Sequence, residues 1–266
     1  MTAWTLFEAD EAQLARLRVE GGDVTVYSCK GPEKQLNEDA AAVLPVEGGV
    51  LLLVCDGMGG HNAGERASRA AIEAVASRLS SAADVEAPRH TLLDGIEEAN
   101  RAVLALGLGA GATLAAVIVR HGRARSAHVG DAAALQMGQR GLIKAQTMAH
   151  SPTSYAVEAG LLDAEEALHH DERHLVSNHI GMEGMRVEIG PEVLVAARDT
   201  ILLASDGLFD NVRDEEVVEI VRKGDPEAAA ARLAKLARRR MTDPSPGAPS
   251  KPDDLTFIVY RRRDRK

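Results

Sequence analysis

An α+β domain is what this sequence predicts, and three observations carry the prediction. Short apolar runs at 112–120, 123–129, 132–137 and 142–147 are separated by His121-Gly122, Gly130-Asp131 and a break at 138–141. That is the rhythm of an antiparallel meander joined by tight turns. Two other stretches, 63–79 and 91–106, space Ala67, Ala71 and Val75, then Leu92, Ile96, Ala99 and Val103, as amphipathic helices do. Finally, 266 residues with 45% hydrophobic content can bury a sizeable core, and no Pro/Gly/Ser-rich linker divides the middle. Residues 1–266 therefore read as one catalytic-sized domain.

Taken in order, 23–29 alternates Val24, Val26 and Ser28 against Thr25 and Tyr27, the period of a strand, and a turn follows at Gly31-Pro32. After the acidic pair Glu38-Asp39, residues 40–44 resume an extended run. The apolar stretch 49–55 reads as a buried strand that breaks abruptly at Asp56-Gly57-Met58-Gly59-Gly60-His61. Beyond the predicted helices and meander, 150–184 is irregular, with one short helix capped by Asp163 and carrying Glu165 and Glu166 in its first turn. His169, His170, His174 and His179 lie in this segment without a cysteine and among solvating charges, so they read as exposed side chains rather than a zinc site. Strands are expected at 185–189, 200–204 and 255–261. Helices are expected at 214–223 and 226–240, the second with Pro226 in its first turn.

Composition excludes several classes of function. A net charge of -9 argues against nonspecific nucleic-acid binding, and the basic end Arg261-Arg262-Arg263-Asp264-Arg265-Lys266 reads as a solvated terminus. Cys29 and Cys55 both fall in apolar runs, so no disulfide framework is expected and a reducing compartment is. The first seven residues lack the regions of a signal peptide, and no stretch approaches the roughly 18 apolar residues of a membrane helix. A soluble, cytoplasmic protein without a membrane partner is expected.

The chemistry is carried by acids. Asp39, Asp56, Asp131, Asp206 and Asp253 each stand at the edge of a core-like strand, and Gly57 and Gly207 follow two of them directly. Carboxylates gathered at one end of a sheet repel one another unless cations sit among them. With no His or Cys at these positions the donors are all oxygen, which favours magnesium or manganese over zinc or copper. Two such ions can hold a bridging hydroxide and offset charge on a phosphoryl group under in-line attack. Hydrolysis of a phosphate ester is the reaction this pattern predicts.

At these residues the chain resembles the metal-dependent serine/threonine protein phosphatases of the protein phosphatase 2C type, in a bacterial-like, single-domain form. The resemblance runs from about residue 23 to 260. It rests on Asn37-Glu38-Asp39, on the Asp56–His61 loop with Gly64-Glu65 and Ala67-Ser68, and on Gly111-Ala112-Thr113. His128-Val129-Gly130-Asp131, Ala204-Ser205-Asp206-Gly207-Leu208 and Asp253-Asp254-Leu255-Thr256 complete it. It implies two antiparallel sheets packed as a sandwich with helices on both outer faces, and a flap at about 150–184. It also implies two core manganese or magnesium ions. Asp56, Asp206 and Asp253 would hold one; Asp56, the Gly57 carbonyl, Glu38 and Asp39 would surround the other; Asp131 with Asp206 would form a weaker third site.

Lys34 stands where the family often has a phosphate-binding arginine, which keeps the charge but loses the two-point fork. The chain also departs from the family pattern at Met58, where many members carry a histidine, at Ala132 and Ala133 in place of Ser-Arg, and at Ala149 in place of Asp. The expected activity is hydrolysis of phosphoserine and phosphothreonine in proteins, by a monomer whose partner is a phosphoprotein, a serine/threonine kinase or that kinase's target. A phosphoprotein-binding module without turnover and a small-metabolite phosphatase are the alternatives.

Overall fold

A computed structural model describes residues 2–59, 63–81, 88–107, 109–163, 166–167 and 170–264. Its strands are β1 (Trp4–Phe7), β2 (Gln13–Val19), β3 (Gly22–Cys29), β4 (Asp39–Val46), β5 (Gly49–Met58), β6 (Gly111–Ala112), β7 (Leu114–Arg120) and β8 (Arg123–Val129). They continue as β9 (Ala133–Met137), β10 (Ile143–Gln146), β11 (Glu188–Ile189), β12 (Val193–Leu194), β13 (Thr200–Ala204) and β14 (Leu255–Arg262). The helices are α1 (Ala63–Ser81), α2 (Pro88–Leu106), α3 (Pro152–Glu158), α4 (Asp206–Phe209), α5 (Asp214–Val221) and α6 (Pro226–Thr242).

Two antiparallel sheets form. One runs β1-β4-β5-β7-β8-β11, with β12 also on β8 and β6 on β5; the other runs β10-β9-β13-β14-β3-β2. Their stacking follows from the two-residue period of each strand. In β5, Val50, Leu52 and Val54 enter the core between the sheets beside Val26, Leu203 and Ile258. Leu51, Leu53 and Cys55 face the other way, under Ile72 and Val75 of α1 and Ile96 and Val103 of α2. On the far side Phe257 and Val259 of β14 meet Leu233 and Ala237 of α6. A strand covered on both faces is apolar at every position, so 49–55 reads as a continuous run. The helix–sheet–sheet–helix order implied by the resemblance is therefore present.

Three expectations are corrected. The meander is two hairpins in different sheets: β7 pairs β8 in the first sheet and β9 pairs β10 in the second. The chain crosses between them at 130–132, where Gly130 takes φ 95°, a left-handed conformation open to glycine. Of the strand expected at 185–189 only Glu188 and Ile189 pair, opposite His128 and Ala127. The basic end is not a solvated tail, because Arg261 and Arg262 prolong β14 and Arg263 lies just beyond it. Their guanidinium groups donate to the carbonyls of Val221 at the end of α5, Val195 in a loop and Val19 at the end of β2. Arg265 and Lys266 lie outside the described residues.

Helix termini follow their sequence signals. Asp225 caps α6 through Ala228 N at 3.0 Å with Pro226 in the first turn. Asp163 accepts from Glu166 N at 2.7 Å while Glu166 reaches back to Asp163 N at 3.1 Å; Glu165 lies outside the described residues. Cys29 and Cys55 are both buried and free. Among the described residues no helix is long and apolar enough to cross a membrane.

Candidate metal centre

Each acid arrives by the end of an element. β4 and β5 pair with Asp39 opposite Asp56, which puts both carboxylates on one face at one end of the first sheet. Gly57 N donates to Glu38 O at 3.1 Å, folding Glu38 over the same end. A Cβ built on Gly64, at the start of α1, would lie 2.4 Å from Glu38 Oε1 and 2.7 Å from Gly57 O. The Glu38 carboxylate and the Gly57 carbonyl thus converge on one spot, which only a glycine at 64 leaves open. In the second sheet β13 and β14 are neighbours, so Asp206, just past β13, and Asp253, just before β14, meet at their shared end. Gly207 permits this, since a Cβ there would fall 1.8 Å from Asp254 O.

The two sheets are tied together at this end by buried polar contacts. Ser205 Oγ donates to Asp39 Oδ2 at 2.7 Å. Asp254, 3% exposed, accepts from Gly31 N and Glu38 N at 2.8 Å each, pinning the loop that carries Lys34. Asp131 and Asp206 line a cleft of about 330 Å³ with Asp210, and Ser151, Thr153 and Ser154 of the irregular segment form its other wall. All eight residues singled out from sequence (Lys34, Glu38, Asp39, Asp56, Gly57, Asp131, Asp206 and Asp253) are therefore brought to one place.

Two lysines run among these acids. Lys34 Nζ lies 3.0 Å from Asp253 Oδ1 and 3.2 Å from Glu38 Oε2. Lys251 Nζ lies 2.5 Å from Asp206 Oδ2, 2.9 Å from Asp210 Oδ2 and 3.3 Å from Asp253 Oδ2. Even so, the negative charge is not balanced. Burial, then the charge of Asp254, pushes Asp39 well above the usual carboxylate range. Burial, then Asp206, Asp39, Asp253 and Asp131, does the same to Asp56. Burial with Asp206 and Asp210 raises Asp131 to about 7. Two like charges 4 Å apart cost about 4 kcal/mol at an effective dielectric of 20, so the acids either take up protons or take up cations.

Divalent metal fits the second course. Asp39 Oδ1 and Asp206 Oδ1 are buried with no hydrogen-bond partner, an arrangement proteins rarely keep unless a ligand uses those lone pairs. The donors are carboxylates and a carbonyl, the set of a hard cation. Gly57 is where this geometry is least forgiving. A Cβ there would sit 2.0 Å from Gly64 O and 2.7 Å from Glu38 O, both main chain. Gly57→Ala is expected to destabilise the chain by about 2–3 kcal/mol, read by urea unfolding, with weakened metal binding. An unchanged midpoint would show that the contact relaxes freely.

Histidines other than those flagged in the sequence prove structural. His150 N donates to Gly130 O at 2.9 Å, and its Nδ1 accepts from Gly130 N at 3.1 Å and Asn178 Nδ2 at 2.8 Å. Asn178 also pairs with Arg186 through both main-chain groups. This network braces the Asp131 turn and the irregular segment, the support that Ala132, Ala133 and Ala149 do not supply. His128, His150 and Glu188 come close enough to suggest a second metal site. However, with Nδ1 of His150 accepting two hydrogen bonds, its proton must reside on Nε2, 3.3 Å from Glu188, so that ring has no lone pair left to offer. His170 is exposed, as expected; His169 and the side chain of His174 lie outside the described residues. His179 is instead half-buried: a Cβ on Gly111 would meet its Nδ1 at 2.7 Å and Met58 Cγ at 3.0 Å. His61 lies outside the described residues.

Sequence reasoning missed Lys251, Asp210, His150 and Asn178, and it quoted Asp254 in a motif without giving it a role. For Lys251 the available signal was a lysine embedded in a Pro-rich loop two residues ahead of Asp253.

Comparison with known proteins agrees with this geometry. The sequence model of the family described as "Protein phosphatase 2C" matches residues 32–238. The chain is 29% identical over 207 residues to the serine/threonine phosphatase stp of Listeria monocytogenes, covering 73% of this chain and 80% of that protein. It is 31% identical over 243 residues to the serine/threonine protein phosphatase PstP of Mycobacterium tuberculosis, covering 87% of this chain and 43% of that one. The crystal structure of the M. tuberculosis phosphatase PstP/Ppp superposes with a TM-score of 0.76 at 29% identity, over 94% of this chain and 100% of the other. The PstP catalytic domain in complex with two manganese ions superposes with a TM-score of 0.74 at 29% identity, over 91% and 98%. The chain belongs to the protein phosphatase 2C family. It is a metal-dependent serine/threonine protein phosphatase with the fold of that family.

Proposed function

We propose that Asp56, Asp206 and Asp253 hold one divalent ion, that Asp56, the Gly57 carbonyl, Glu38 and Asp39 hold a second, and that Asp131 with Asp206 offers a weaker third site. The observation that carries this reading is the convergence of these acids around two buried, unpartnered oxygens, Asp39 Oδ1 and Asp206 Oδ1. Manganese or magnesium, when bound, activates water and offsets charge on the phosphoryl group. The chain's own residues prepare for that. Ser205 holds one oxygen of Asp39 and leaves the other free. Asp254 fixes the Lys34 loop and Glu38 in place. Lys34, 35% exposed, stands at the rim, where its ammonium can take the phosphate of an arriving phosphoserine or phosphothreonine.

The biological reading is one catalytic domain over 1–266, with a flap at about 150–184, acting in the cytoplasm as a monomer. Its partners would be phosphoproteins, among them a serine/threonine kinase or that kinase's target. The test is turnover of a phosphothreonine peptide with manganese and with chelator. Turnover only in manganese is expected, and an undiminished rate in chelator would remove the metal assignment. Saturable peptide binding without turnover would favour the binding-module reading. Lys34→Ala is expected to raise KM for the peptide chiefly, with Lys34→Arg lowering it again by a two-point contact. Unchanged kinetics in Lys34→Ala would assign Lys34 to the acids alone.

A further inference from the structure

Lys251 is a charge that the reaction as described does not use. Its main chain is clamped by Asn211, which is fully buried. Asn211 Oδ1 accepts from Lys251 N at 2.9 Å, and Asn211 Nδ2 donates to Lys251 O at 2.8 Å and to Gly207 O at 2.9 Å. The clamp fixes the root of the side chain against α4, and the stem carries the ammonium inward to Asp206, Asp210 and Asp253. Asp253 is thereby held on Oδ2 by Lys251 and on Oδ1 by Lys34. Two of the three carboxylates assigned to one metal thus already share a tethered cation.

We propose that Lys251 is a built-in competitor for the divalent ion at Asp206 and Asp253, and that it sets how tightly this chain binds metal. The inference rests on the ligand assignment made above. A divalent ion drawing on Asp206 Oδ2 and Asp253 Oδ2 needs the lone pairs that the ammonium occupies, and a dication beside an ammonium is repelled by it. Loading the site therefore turns the lysine out. The side chain is 22% exposed, so the route to solvent is short. The cation also has a role of its own, because it keeps Asp206, Asp210 and Asp253 from repelling one another. Removing it is expected to destabilise the chelated protein while strengthening its hold on metal, a pair of opposite effects that a purely structural lysine cannot produce.

The experiment is manganese binding by titration calorimetry on the whole chain, with thermal melts in chelator and in saturating manganese. Wild type, Lys251→Met, Lys251→Gln, Lys251→Arg and a remote control, Lys235→Met on α6, are compared. Lys251→Met and Lys251→Gln should bind manganese about 10-fold or more tightly than wild type, melt lower in chelator, and gain more from manganese. Lys251→Arg and Lys235→Met should resemble wild type. Equal or weaker binding in both neutral variants would overturn the proposal, as it would if Asp206 met the ion only through its free Oδ1 and left the lysine in place. A lower melting temperature in chelator and manganese alike would overturn it too, by making the lysine a structural tie. Failure of wild type and variants alike to bind manganese would remove the ligand assignment and this inference together.

Discussion

Asp206→Asn and Asp56→Asn should each reduce turnover of a phosphothreonine peptide by roughly 10³-fold or more, the scale of losing a group that stabilises charge in the transition state. Asn keeps the shape of Asp and removes the charge, so the core around the site stays filled. Asp206 is tied to both Asp253 and Asp210 through Lys251 and to Asp131 across the cleft, so its charge serves the first and the third of the proposed metal positions. Stability should move the other way in Asp56→Asn. Burial and four facing carboxylates disfavour the ionised Asp56, and its neutral replacement relieves them. In chelator that variant should melt above wild type while being inactive in manganese. Wild-type turnover in either variant would show that the residue holds no metal.

The second large effect is a reversal of pH dependence by metal. Asp131 is raised to about 7 by burial, Asp206 and Asp210, whereas in an unfolded chain it ionises near 4. Between those values the native state binds more protons than the unfolded one, so stability falls as pH rises. Asp39 and Asp56, raised for the same reasons, add to the slope. Glu216, held low by Arg240, works in the opposite sense: its contribution is present above its unfolded value and is lost as pH falls through its folded one. In chelator the melting temperature should therefore peak near pH 4–5 and decline toward pH 8, with Asp131 alone accounting for up to about 4 kcal/mol. In saturating manganese it should rise over the same range, because the ligands bind metal deprotonated. A flat profile in chelator would mean that the acids are not in conflict.

Much of this was legible along the chain because it depends on local periodicity. The strand at 200–204 and the starts of α1, α5 and α6 are written in apolar spacing and cap residues, so they were read to within a residue or two. The edge strands β1 and β2 were missed: β1 has only four residues, and in β2 the exposed Leu14 blurs the alternation of Ala15, Leu17 and Val19 against Arg16 and Arg18. The short α3 was missed although Ser151 and Pro152 mark its start, since a two-turn helix has too few apolar positions to show a period.

The acids could be singled out because a carboxylate at the mouth of a buried strand needs a reason to be there, and that reason survives without coordinates. What sequence by itself determined is the chemistry: oxygen donors, hard cations and a phosphoryl group, with the carboxylates now proposed to serve them. Tertiary structure alone decided which charges answer them. Asp254 lies 216 residues along the chain from Glu38, whose main-chain N–H it accepts, and Lys251 lies 45 residues from Asp206; they meet only because β13, β14 and β4 end at the same edge of two stacked sheets. Hydrogen bonds and ion pairs act over about 3 Å, so a partner brought in from more than 200 residues away leaves no periodic trace in the sequence.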